Sequence, residues 1–176
     1  MDMLEILFWV CEKLENHSIS YMLSGSLAMN AYTLPRMTRD IDIVIALQEN
    51  DVETLCNIFG NDFYFYEPTI REEIRLQGMF NVIHHESGVK IDFMVLKDIE
   101  FRQWEFSRRT KIYLGKKELY LVSLDDLIIS KLIWIQDLQS EKQMEDIRNL
   151  LENSLVDMPY IYHWITRLSL KTFDLL

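Results

Sequence analysis

The residues best suited to chemistry are two aspartates, Asp40 and Asp42, inside the apolar run that ends at Ile45. Side chains alternate between the faces of an extended strand, so both carboxylates face one side while Ile41 and Ile43 face the other. Carboxylates held side by side raise each other's pKa unless a cation lies between them. Mg²⁺ favours carboxylate oxygens together with substrate phosphates. The spacing predicts a phosphate-handling metal site, with a solvated strand face as the ordinary alternative.

A second pair of residues, Gly25-Ser26, ends a short apolar run that begins at Tyr21. If Tyr21–Ser24 is a strand and Leu27–Tyr32 opens a helix, the pair forms the turn at the helix N-terminus, where backbone N–H groups favour an anion. Glycine lets a phosphate approach the backbone, and the serine hydroxyl can donate one more hydrogen bond. A plain turn with an N-cap is the alternative. The order and spacing of the two motifs are more specific than either motif alone.

A Gly-Ser pair, a short helix and Asp-x-Asp on a strand together resemble the signature of the nucleotidyltransferase superfamily, whose best known member is DNA polymerase beta. This resemblance covers most of the chain and implies an α/β (α+β) nucleotidyltransferase fold, a short mixed sheet flanked by helices. The superfamily adds a third carboxylate from a later strand, and Asp92 fills that position within Lys90–Val95. The segment RMTRDIDIVI, Arg36–Ile45, resembles more narrowly the AbiEii-like abortive-infection toxin branch and its small bacterial relatives.

The resemblance implies transfer of an NMP from an NTP to a hydroxyl acceptor, with release of pyrophosphate. Asp40 and Asp42 would hold two Mg²⁺ ions, with Mn²⁺ as the alternative metal. Asp92 would help to hold the metal nearer the acceptor and favour deprotonation of its hydroxyl. Gly25 and Ser26 would cradle the β- and γ-phosphates of the NTP co-substrate.

Basic residues complete the predicted nucleotide site. Arg39 shares a loop with Arg36, and arginines beside the carboxylate pair would either neutralise triphosphate charge or hold the acids in place. Lys131 lies on a later predicted helix, where the resemblance implies a lysine that meets the nucleotide phosphates. Lys142 and Asp146 follow one helical turn apart, either as part of the toxin pattern or as an exposed i,i+4 pair.

Turn residues and periodicity predict the elements that position these side chains. Helices are predicted over 2–16, 27–32, 50–59 and 69–76, from residue 123, and from near residue 159. Hairpins are predicted from Met79–His84 with Val89–Val95, and from Thr110–Leu114 with Glu118–Val122, the latter turning at Gly115-Lys116. Periodicity does not give strand order, so only the resemblance places Asp92 beside the other two aspartates.

Composition limits the class of protein further. With 176 residues, 49% of them hydrophobic, the chain can bury a globular core, and the absence of a long apolar run predicts a cytoplasmic protein without a membrane span. A net charge of −10 argues against indiscriminate nucleic-acid binding. The segment Phe101–Val122 is locally basic with interleaved aromatic residues, which would suit RNA, whereas a solvated basic face with core aromatics is the alternative.

These observations predict a catalytic domain over residues 1–122 and a helical C-terminal subdomain over 123–176 that closes over the nucleotide. The acceptor could be RNA or the end of a tRNA, a protein hydroxyl or a small molecule such as an aminoglycoside. A cognate partner protein, as in a toxin–antitoxin pair, is also expected. The alternatives are a non-catalytic nucleotide-binding or antitoxin-like protein on the same fold and a purely structural module.

Overall fold

In the computed structural model, which describes residues 1–115 and 117–176, seven strands form one mixed sheet. The strands are β1 (Tyr21–Leu23), β2 (Asp40–Ile45), β3 (Phe63–Tyr64), β4 (Met79–His84), β5 (Lys90–Val95), β6 (Thr110–Leu114) and β7 (Lys117–Leu121). Their order across the sheet is β3-β4-β5-β2-β1-β7-β6. The pairs β2–β5 and β1–β7 are parallel, and the other neighbours are antiparallel.

Helices flank this sheet, which confirms the predicted fold class. In the described part of the chain they are α1 (Met3–Asn16), α2 (Gly25–Met29), α3 (Val52–Phe59), α4 (Glu67–Leu76), α5 (Glu100–Ser107), α6 (Leu124–Trp134), α7 (Glu141–Leu151) and α8 (Met158–Leu168). None of these helices is long and apolar enough to cross a lipid bilayer. The predicted turn at Gly115-Lys116 includes Lys116, which lies outside the described residues. The division at residue 122 stays a prediction.

Strand β2 shows the alternation that its sequence predicts. Ile41 and Ile43 are fully buried on one face, whereas Asp40 and Asp42 are only partly buried. The strand lies between β1 and β5, so its isoleucines enter the middle of the core. Burying an isoleucine side chain contributes about 2 kcal/mol, which fixes the register of β2 and with it the direction of the two carboxylates.

The segment 101–122 differs most from the sequence expectation. It begins with the unpredicted helix α5, which buries Phe101, Glu105 and Phe106. Four of its basic side chains pair with carboxylates: Arg102 with Glu105, Arg108 with Asp126, Lys111 with Glu118 and Lys117 with Glu12. Paired charges offer little to a phosphate backbone, so the structure favours an ordinary charged face over an RNA-binding patch.

Helix α6 begins where the sequence predicts, with Ser123 as its N-cap. The Ser123 hydroxyl accepts a hydrogen bond from the backbone N–H of Asp126 at 3.3 Å. The fully buried Asp126 carboxylate accepts from the Tyr160 hydroxyl of α8 at 2.5 Å and from Arg108, just after α5, at 3.0 Å. These bonds tie α5, α6 and α8 together and hold α6 in place against the rest of the molecule.

Candidate active site

Two carboxylates lie side by side on neighbouring central strands of the sheet. Asp42 of β2 is in direct register with Asp92 of the parallel neighbour β5. Asp40 lies two residues earlier on β2, so its side chain is on the same face of the sheet. The structure therefore brings together the three aspartates that the sequence and the family resemblance single out.

The electrostatics of this group are unfavourable to negative charge. Burial raises the pKa of Asp42, and repulsion from Asp92 and Asp40 raises that pKa further. Interaction with the backbone N–H of Ser26 and with the ammonium of Lys131 acts in the opposite direction without cancelling the rise. Asp42 therefore lies where a cation would be stabilised.

Gly25 places the Gly-Ser turn directly against Asp42. The backbone N–H of Ser24 donates to the Asp42 carbonyl at 2.9 Å, and α2 begins at Gly25, two residues before the predicted start. Gly25 has a φ of +62°, and a Cβ at this position would overlap the Asp42 carboxylate. Only glycine meets both requirements, so the turn and the carboxylate are in contact because residue 25 has no side chain.

A charge cluster joins the Gly-Ser turn to the C-terminal helices. Arg36 donates to the Ser26 hydroxyl at 2.8 Å and makes two hydrogen bonds, 3.0 and 2.7 Å long, to the Asp146 carboxylate of α7. Lys131 of α6 donates to the same carboxylate at 2.8 Å and to Gln143 at 3.0 Å. The Asp146 side chain is 3% exposed and that of Lys131 is 7% exposed, so this ion pair lies within the protein.

The pKa of Asp146 shows that this cluster is electrostatically satisfied. Burial alone would raise that pKa, but the hydrogen bonds and charges of Arg36 and Lys131 outweigh it and hold the pKa below its ordinary value. Of the two alternatives for Lys142 and Asp146, the exposed i,i+4 pair is wrong, and the match to the toxin pattern stays a prediction. Lys142 is exposed, whereas Asp146 points into the protein toward partners on other segments.

The two arginines of the loop before β2 differ in position. Asn30 holds the backbone of Arg36 from both sides, donating to its carbonyl at 3.0 Å and accepting from its N–H at 3.1 Å. Arg39 is exposed and has no hydrogen bond or ion pair with a described residue. The structure thus places Arg36 at the Gly-Ser turn, and a nucleotide-binding role for Arg39 stays a prediction.

Lys90 is a site residue that the sequence reasoning did not assign. Its ammonium lies 2.7 Å from Asp92 and 3.6 Å from Asp40. The hydrogen bond to Asp92 holds the pKa of Lys90 above its ordinary value. Lys90 precedes Asp92 by two residues, so strand alternation alone would have placed both on one face.

The chemistry of these donors fits a hard divalent cation. Within residues 1–115 and 117–176, no three acidic, histidine or cysteine side chains form a ready-made metal cluster. The carboxylates of Asp42 and Asp92 are nevertheless opposite each other, and burial together with repulsion from Asp92 raises the pKa of Asp42. Three carboxylates beside one ammonium leave excess negative charge on oxygen donors, and these are the ligands that Mg²⁺ or Mn²⁺ would use here.

Comparison with known proteins supports the fold. No family model and no curated protein matches the chain. Among solved structures, ANT(2'')-Ia in complex with adenylyl-2''-tobramycin has a TM-score of 0.63 and 10% identity, over 94% of this chain and 95% of that one. The lincosamide antibiotic adenylyltransferase LnuA, bound to lincomycin, has a TM-score of 0.56 and 16% identity, over 83% and 94%.

A third similar structure comes from Paracoccidioides brasiliensis. This antigenic nucleotidyltransferase-like protein has a TM-score of 0.53 and 19% identity, over 84% of this chain and 72% of its own. At such identities the similarity shows the fold alone. The chain therefore has a nucleotidyltransferase fold, while the narrower resemblance to AbiEii-like toxins stays a prediction.

Proposed function

We propose that this protein is a metal-dependent nucleotidyltransferase that moves an NMP from an NTP to a hydroxyl acceptor and releases pyrophosphate. The observation that carries the proposal is the in-register pairing of Asp42 with Asp92, with Asp40 on the same face and the Gly25-Ser26 turn in contact with Asp42. This pairing supplies acidic oxygens beside a turn suited to phosphate, on adjacent strands of a rigid sheet.

The residues divide between the reacting centre and the phosphates. Asp40, Asp42 and Asp92 would hold Mg²⁺, or Mn²⁺, which when bound stabilises charge on the attacking and leaving oxygens. Asp92 would favour release of the acceptor hydroxyl proton to water. The hydroxyl oxygen then bonds to the α-phosphorus while the bond from that phosphorus to the bridging oxygen of pyrophosphate breaks.

The Gly-Ser turn and its basic neighbours would bind the β- and γ-phosphates. The Ser26 hydroxyl is already within hydrogen-bond distance of the Arg36 guanidinium, so an anion at the turn meets a neutral donor and a positive charge together. Lys131 adds positive potential to the site. Its charge acts on Asp42, while its ammonium stays bonded to Asp146. Arg39 would meet the triphosphate from the exposed side of the loop.

For the acceptor, we propose a small-molecule hydroxyl. ANT(2'')-Ia and LnuA carry antibiotics in the structures similar to this one, and both are matched over nearly their whole length. The basic residues that would have met RNA are largely paired with carboxylates. RNA or tRNA, a protein hydroxyl and a cognate toxin–antitoxin partner are the remaining candidates.

A second candidate is a nucleotide-binding protein that turns nothing over. The observation that favours it is the contact of Lys90 with Asp92 and Asp40, because a basic side chain there already compensates part of the carboxylate charge. Such a protein would bind an NTP at the Gly-Ser turn and serve as an antitoxin-like partner.

The deciding experiment measures transfer and binding on the same proteins. Wild type, Asp42→Ala and the exposed-surface control Asp62→Ala are incubated with each α-labelled NTP, Mg²⁺ and candidate acceptors, and pyrophosphate release is followed. Transfer by the wild type and the control, with a loss of at least about a thousandfold in Asp42→Ala, is expected if Asp42 holds the catalytic metal. Unchanged transfer in Asp42→Ala would refute the enzyme proposal.

Thermal unfolding of the same proteins with and without NTP and Mg²⁺ separates the two candidates. A ligand bound only by the folded state raises the apparent stability. A shift with one NTP, without turnover on any acceptor, would favour the non-catalytic candidate. The NTP that gives the largest shift is the preferred nucleotide.

A further inference from the structure

Lys90 lies within the group of aspartates. Its ammonium is 2.7 Å from Asp92 Oδ2 and 3.6 Å from Asp40 Oδ1, so a single positive charge contacts carboxylates of two different strands. Lys90 is opposite Asp40 in the β2–β5 register, just as Asp92 is opposite Asp42. The register therefore fixes four side chains, three acidic and one basic, in a two-by-two block on one face of the sheet.

The block has the properties of a cation site in which the Lys90 ammonium is the cation. One ammonium against three carboxylates leaves an excess of negative charge, and Asp42 makes no ion pair among the described residues. The Lys90 side chain is 37% exposed, so its four-carbon stem can carry the ammonium toward solvent without disturbing the core.

We infer that Lys90 is a built-in competitor of the divalent metal: its ammonium occupies the cation position between Asp92 and Asp40, and the metal binds by displacing it. The inference rests on the proposed function, because it concerns the same carboxylates. It assigns Lys90 a positioning role that controls metal occupancy. It also explains how the three acids coexist on a folded sheet, because the ammonium offsets part of their negative charge.

The displaced ammonium would find a new partner in the substrate. An NTP held at the Gly-Ser turn brings triphosphate oxygens to the face that carries Lys90, so a lysine released by the metal can pair with phosphate instead of carboxylate. Metal and nucleotide would then bind with positive coupling. The metal frees the Lys90 ammonium to pair with the triphosphate, and the triphosphate stabilises Lys90 away from the carboxylates that hold the metal. The metal alone would bind weakly.

Direct titration of the protein with Mn²⁺, followed by the electron paramagnetic resonance signal of the free ion, tests this inference without reference to turnover. The variant Lys90→Met removes the charge and keeps an unbranched side chain that is one atom shorter. Lys117→Met is the matched control, because it removes one positive charge from a lysine that pairs with Glu12 on α1, away from the aspartates. Lys90→Met should bind Mn²⁺ at least about tenfold more tightly than both the wild type and the control, because a like charge beside the metal is gone.

A second variant, Lys90→Arg, keeps the charge and should keep the weak wild-type affinity. Circular dichroism confirms that each variant is folded before titration. Adding a non-hydrolysable NTP should tighten Mn²⁺ binding in the wild type and tighten it less in Lys90→Met.

The outcomes separate this inference from the proposed function. Equal or weaker Mn²⁺ binding by Lys90→Met, with measurable binding by the wild type, would overturn the role of Lys90 and leave the metal site standing. Lys90→Arg binding as tightly as Lys90→Met would also overturn it, since charge would not be the cause. If neither the wild type nor Lys90→Met binds Mn²⁺, with or without NTP, the inference and the metal-dependent function both fail.

Discussion

Asp42 and Asp146 are both at least partly buried, but their neighbours shift their pKa values in opposite directions. Asp42 has Asp92 and Asp40 beside it, and burial together with this repulsion raises its pKa. Asp146 has Arg36 and Lys131 beside it, and their bonds outweigh burial and lower its pKa. Negative charge is therefore destabilising at the first position and compensated at the second.

Under the proposed function, the contrast separates the carboxylates that would take part in the reaction from the cluster that holds the surrounding groups in place. A carboxylate that lacks compensation is available to an incoming cation, whereas a compensated one fixes the groups around it. Functional sites commonly carry such unfavourable charge at the expense of stability. The Asp146 cluster offsets this loss of stability, because its bonds join the Gly-Ser turn to α6 and α7.

The largest effect on stability is expected from removing the compensated carboxylate. Asp146→Ala leaves Lys131 buried without a counter-charge and should lower the free energy of unfolding by about 3 kcal/mol. Urea unfolding followed by circular dichroism measures this. Glu145→Ala, at an exposed position one residue earlier, is the control and should change little. A loss under about 1 kcal/mol would show that the cluster contributes less than its burial implies.

A smaller effect should separate the two arginines of the loop. Arg36→Ala removes the bonds to Ser26 and Asp146 but leaves Lys131 to compensate Asp146, so we expect a loss of about 2 kcal/mol. Arg39→Ala should lie within about 0.5 kcal/mol of the wild type, as exposed substitutions usually do. The same urea experiment compares them, and equal losses would mean that Arg39 also has a structural role.

After Asp146 and Arg36, the smallest of the three main effects is expected at Asp42, and it has the opposite sign. Because the folded pKa of Asp42 is raised, the folded state keeps a proton that the unfolded chain has released, and the stability contributed by that proton is lost as pH rises through the raised pKa. Without metal at neutral pH, Asp42→Asn should therefore be more stable than the wild type by about 1 kcal/mol.

Thermal unfolding of Asp42→Asn and wild type across pH measures this difference. It should shrink as the pH falls toward the ordinary pKa of aspartate. The lowered pKa of Asp146 acts in the other direction, since its stabilisation is present above the ordinary pKa and is lost as pH falls through the lowered one. Destabilisation by Asp42→Asn at neutral pH would contradict the conclusion that negative charge is unfavourable at Asp42.

The sequence predicted those parts of the site that depend on local geometry. The alternation in β2 is local, so the common face of Asp40 and Asp42 could be read directly and is confirmed. Asp92 is in register with Asp42 although the two residues are 50 positions apart in the chain. The periodicity of the sequence does not show which strands are neighbours, so it could not predict this pairing. Only the family resemblance supplied that pairing.

The errors have tertiary causes. The alternative of an exposed Lys142–Asp146 pair came from helical spacing, which is visible in sequence, but the partners of Asp146 are Arg36 and Lys131 on other segments. Helix α5 was missed because one of the residues it buries is Glu105, which interrupts an apolar pattern and is satisfied by Arg102 and by Ser130 of α6. Both facts become visible only when the elements pack.

The bond between Arg36 and Asp146 also sets the order in which the site can be completed. It connects residues 110 positions apart in the chain, and Lys131 is bonded to the same carboxylate. During synthesis the ribosome releases the Gly-Ser turn and all three aspartates long before α7 emerges. Until then the guanidinium of Arg36 lacks the partner that directs it toward Ser26. A nascent chain, or one truncated before α7, would thus have its acidic strands without the Arg36–Asp146 bond, so the proposed phosphate site would be complete only once α7 has folded.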